Sequence, residues 1–72
     1  MAILNVFARN ITEVEVMKEV LDNAGLSFDV NEEFECLCFQ EEEDLCDELE
    51  QIIDEILSVF NVYYRFELET IN

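Results

Sequence analysis

The stretch EEEDLCDELEQIIDEILSVF, residues 41–60, places apolar side chains at Leu45, Leu49, Ile52, Ile53, Ile56, Leu57 and Phe60. Spacings of three and four residues put these on one side of a helix, so the pattern predicts an amphipathic helix of about four turns. Glu41 to Asp44 read as its start, and Ile52 is expected within its buried stripe. On the C-terminal side, Val62, Tyr64, Phe66 and Leu68 alternate with Tyr63, Arg65, Glu67 and Glu69, the period of a strand with one buried and one polar face. On the N-terminal side, Phe34 to Phe39 is apolar on both faces except at Glu35 and reads as an inner strand. Leu26, Phe28 and Val30 alternate with Ser27, Asp29 and Asn31 in a half-buried strand, joined to the inner one by a turn at Asn31-Glu32-Glu33.

The chain opens with a strand at Ala2 to Arg9, whose mixed apolar pattern suits an interior position. Thr12 and Glu15 have the spacing of a capping box and predict the start of a first helix. Its apolar face is Val14, Met17, Val20, Leu21 and Ala24, and Gly25 is its left-handed stop, with Leu26 folding back on the last turn. The order strand, helix, strand, strand, helix, strand predicts an α+β, ferredoxin-like βαββαβ domain over residues 1–72. Right-handed crossovers then place both helices on one face of a four-stranded antiparallel sheet, with the first and third strands central. The competing arrangement is a three-stranded sheet in which residues 26–39 form one long bent strand.

Charge separates this sequence from ordinary small domains. It holds 19 carboxylates against Arg9, Lys18 and Arg65, for a net charge of −16, and no cation lies between Glu19 and Tyr64. Such an excess repels itself well beyond what solubility needs. Yet 51% of the residues are hydrophobic, which distinguishes the chain from acidic disordered tails. Nucleic acid and anionic membranes are repelled, so neither is expected as a direct partner. The sequence shows neither a secretory signal nor a membrane span, and three cysteines suit a reducing compartment, so a cytoplasmic location is expected. Cys36 and Cys38 point the same way along their strand, too far apart for an easy bridge.

Nine of the fifteen residues from 41 to 55 are acids. Asp44, Asp47, Glu48, Asp54 and Glu55 fall opposite the apolar stripe, with Glu41 and Glu43 before them and Glu50 on the flank. Carboxylates one turn apart are separated by about 5.4 Å along the axis, comparable to successive phosphates on one nucleic-acid strand. A groove lined with Lys and Arg for a duplex would accept such a row. Ordinary exposed helix faces mix their signs; this one carries repelling acids at four-residue spacing and keeps Asp54 and Glu55 where the helix dipole favours cations. The expected partner-binding residues are therefore Glu41, Glu43, Asp44, Asp47, Glu48, Asp54 and Glu55, with Glu35, Glu67 and Glu69 on the sheet.

Other chemistries find less support. No calcium-loop spacing is present, no histidine completes a zinc site with the cysteines, and no cofactor-binding motif occurs. Ser27 and Ser58 lie in no nucleophile motif, so no catalytic residue is expected. Leu57-Ser58-Val59 is not the Asp-Ser-Leu attachment site of the similarly acidic acyl carrier proteins.

In size, acidity and compactness the whole chain resembles the small acidic anti-CRISPR proteins of bacteriophages and mobile elements that mimic DNA, although it shares no motif with them. The resemblance implies a non-enzymatic inhibitor in the bacterial cytoplasm whose partner is a Cas subunit with a basic DNA-reading surface. A monomer fits that reading. The alternative is a ferredoxin-like dimerisation or ligand-sensing module using an open sheet face at Ile3, Phe7, Leu37, Phe39, Tyr63 and Ile71.

Overall fold

The structure, a computed structural model, describes residues 1–70. The elements are β1 (Ala2–Phe7), α1 (Ile11–Asn23), β2 (Asp29–Asn31), β3 (Cys36–Glu41), α2 (Glu43–Leu57) and β4 (Arg65–Thr70). The four strands form one antiparallel sheet in the order β2-β3-β1-β4, the ferredoxin-like arrangement. Residues 26–31 and 36–41 are separate, so the bent-strand alternative does not occur. Pairing begins only at Asp29, and residues 26–28 lead into it without a sheet partner.

The pleat sorts the two sheet faces. Leu4 and Val6 of β1 and Leu37 and Phe39 of β3 are buried beneath the helices. Val14, Met17 and Leu21 of α1 and Cys46, Ile53 and Leu57 of α2 close over them. Phe28 adds an aromatic contact to Phe39, with ring centroids 5.4 Å apart. Ile3, Asn5 and Phe7 alternate onto the opposite, open face with Cys36 and Cys38. Leu37 and Phe39 therefore do not belong to the open face where the sequence placed them. Tyr63 precedes β4, and Ile71 lies outside the described residues.

Helix ends follow local chemistry. Gly25, at φ 84°, ends α1 as expected: its N–H donates to the Asp22 carbonyl at 3.0 Å and the Leu26 N–H donates to the Leu21 carbonyl at 3.2 Å. This doubled closure satisfies carbonyls that the last turn leaves open. At the other end the cap is Asn10, not Thr12, and its side-chain oxygen accepts from the Glu13 N–H at 3.0 Å. Asparagine is as good a cap as threonine or better, and the earlier start sets Glu13 in the first turn of α1.

The turn between β2 and β3 brings a second correction. Glu35 is not in the strand; it closes the turn at φ 53°, where its carbonyl accepts from the Ala8 N–H at 3.3 Å. A side chain is strained in this left-handed region. Glu35→Gly is therefore expected to raise stability by about 1 kcal/mol, seen as a higher thermal midpoint.

Candidate functional site

α2 supplies the acidic surface. Its N-terminus needs little help: Glu43 and Asp44 lie in the first turn, where the helix dipole favours anions, although Glu42 at the cap position makes no side-chain capping bond. Glu43, Asp44, Asp47, Glu48, Asp54 and Glu55 are all exposed. Glu41 is the last residue of β3, paired with Ala2, and stands beside Leu45 and Glu48 at the entry to α2. Among the described residues the ion pairs are Arg9–Glu13, at 2.6 Å, and Arg65–Glu67, at 3.2 Å. Neither ion pair among the described residues involves an α2 carboxylate.

The ten expected binding residues do not share one surface. The α2 acids and Glu41 lie on the helical side of the sheet. Glu67 and Glu69 of β4 lie opposite Asn5 and Ile3 and so occupy the open face. Glu67 is already engaged by Arg65, whose guanidinium sits 4.7 Å from the centre of the Phe7 ring. Glu35 is half-buried in the turn at the far end of β3 from Glu41. Alternation along β4 had identified Glu67 and Glu69 as polar-face residues; which side of the sheet the helices cover decided their separation from α2.

Two of the acids have structural partners that the sequence did not suggest. Asp54 accepts the Tyr64 hydroxyl at 2.5 Å, tying α2 to the segment before β4. That hydrogen bond, ahead of desolvation, pushes the Tyr64 hydroxyl pKa upward. Asp54 is consequently a strut as well as a surface charge. Glu13 accepts from Nε and Nη2 of Arg9 on one oxygen and from the Tyr63 N–H at 2.9 Å on the other. The Arg9 bond, then the Tyr63 amide, holds its carboxyl below the usual range. Arg9 is spent in this contact and in stacking 5.7 Å from the Tyr63 ring centre.

The open face is mixed in character. Ile3, Asn5, Phe7, Phe34, Cys36 and Cys38 surround a shallow depression of about 410 Å³ whose edge carries Glu67 and Glu69. Cys36 and Cys38 lie with their sulfurs 3.9 Å apart, almost twice the length of a disulfide bond. All three cysteines are free. Burial first, and then Cys38 and the nearby glutamates, push the Cys36 thiol up to about 12, a poor state for a nucleophile. Burial likewise raises Cys46, which fills the core beneath α2.

Among the described residues, no three Cys, Asp or Glu side chains are gathered as a metal ion requires. No helix among them is long and apolar enough to cross a membrane. Comparison with protein families, with curated proteins and with solved structures finds no match to the chain.

Proposed function

We propose that this protein is a non-enzymatic inhibitor that presents the carboxylates of α2 in place of nucleic-acid phosphates and occludes a basic DNA-binding surface. A Cas subunit of a bacterial CRISPR system is the favoured target. The observation that carries this reading is the exposed row Asp44, Asp47, Glu48 and Glu55 on α2, which takes part in neither ion pair among the described residues. Held on a folded scaffold, such a row loses little conformational freedom on binding, unlike an acidic tail. The open-face alternative is weaker, since Leu37 and Phe39 belong to the core and the remaining apolar residues sit beside Glu67 and Glu69.

The decisive test starts from affinity capture in a bacterial host, followed by competition between the captured partner's DNA and the pure protein. A mimic displaces DNA, and its own affinity falls steeply as salt rises from about 0.05 to 0.2 M, because bound counterions are released as they are from DNA. A partner that holds DNA and this protein simultaneously would overturn the reading.

A further inference from the structure

The apolar stripe of α2 is wider than the core it serves. Cys46, Ile53 and Leu57 are buried and Leu49 and Ile56 half-buried, but Leu45 and Ile52 remain 44% and 46% exposed. Leu45, Leu49, Ile52 and Ile56 succeed one another at intervals of four, three and four residues, the spacing with which a helix receives a second helix. Glu41, Leu45, Glu48, Leu49 and Ile52 line a shallow, open groove of about 180 Å³. Its apolar floor is bordered on the polar side by acids alone.

We propose that this groove seats a basic amphipathic helix of the partner, with aliphatic or aromatic anchors on Leu45, Leu49 and Ile52 and with Lys or Arg over Glu41 and Glu48. The inference rests on the mimic reading and states how the mimic is held. Carboxylates alone supply attraction and a fast encounter, whereas apolar anchors in a groove set the dissociation rate and select among basic surfaces. Charge complementarity fixes the occupant: a second copy of this chain would set −16 against −16 and offer more acids to Glu41 and Glu48. An amphipathic helix with one apolar and one cationic face matches both halves of the groove.

The test uses two synthetic Leu/Lys peptides of identical composition, each about 18 residues long. One places its leucines on a single helix face; the other is scrambled so that no face forms. Fluorescence anisotropy is read with the full chain at about 0.15 M salt. The amphipathic peptide is expected to bind at least about tenfold more tightly than the scrambled one. Leu45→Gln with Ile52→Gln should erase that preference and leave the scrambled peptide's affinity unchanged. Both positions are exposed, so circular dichroism of the double variant should match the wild type, and Leu45→Gln alone serves if it does not. Equal, salt-sensitive binding of both peptides, or a preference that survives the substitutions, would overturn the anchored groove while leaving the acidic mimic standing. If neither peptide binds, the anchored groove is overturned, and the DNA competition on the captured partner decides the mimic reading separately.

Discussion

Ile53→Ala lowers the stability of the domain by about 2–5 kcal/mol, whereas Ile52→Ala, one residue earlier, stays below about 1 kcal/mol. The two side chains are chemically identical, but Ile53 is fully buried while Ile52 is 46% exposed. Truncating Ile53 removes transfer free energy and leaves a cavity between Leu57, Cys46 and the sheet, and the close-packed neighbours collapse into it only in part. At Ile52, alanine's better helix propensity offsets part of the modest loss of contact. A domain of this size has a total stability of only about 4–11 kcal/mol, so Ile53→Ala removes a large share of it. Urea midpoints decide the point. Equal losses for the two variants would mean that α2 is rotated from the orientation described.

The second large effect is on binding. Asp47→Lys, Glu48→Lys and Glu55→Lys together are expected to weaken the partner complex by at least about 100-fold, roughly 2.7 kcal/mol. Each replacement turns an attraction for a basic surface into a repulsion, and like charges facing across an interface cost several kcal/mol. The fold should survive and gain: all three side chains are exposed, none takes part in the two ion pairs, and the change lowers self-repulsion. Asp54 is left untouched because Tyr64 depends on it. Thermal melting separates the outcomes. A variant with a raised or equal midpoint that still displaces DNA as the wild type does would exclude α2 as the mimic.

Sequence pattern revealed the order of elements, both helices and the antiparallel sheet because each element repeats its own period several times. Ambiguity survived wherever two phases fitted equally well. Phe34 to Phe39 is apolar on both faces, so alternation alone could not say whether Leu37 and Phe39 or Cys36 and Cys38 meet the helices; packing chose the larger pair. The α2 stripe spans more than one file of apolar residues, and only the position of the sheet separates Ile53 from Ile52. Thr12 fitted a capping box, but Asn10 stands closer to the loop and captures the Glu13 amide first. The acidic row was legible because it rests on composition and helical spacing. Its separation from Glu67 and Glu69, and the bond of Asp54 to Tyr64, depend on contacts between distant segments that no local pattern encodes.

The pairing of β1 with β4 also governs how the molecule comes together in time. Ala2 faces Thr70 and Phe7 faces Arg65, so the central strand receives one neighbour from the opposite end of the chain. Until that neighbour arrives, β1 presents an unpaired edge beneath a half-covered core. On a ribosome it must wait while the rest of the domain is synthesised, a matter of seconds at about 5–20 residues per second. Closing so long a loop is slow relative to forming either helix, and exposed edges invite sticking between chains during the delay. A chain bearing −16 keeps its own copies apart through that interval. Mutual repulsion between copies thus opposes aggregation of the nascent form.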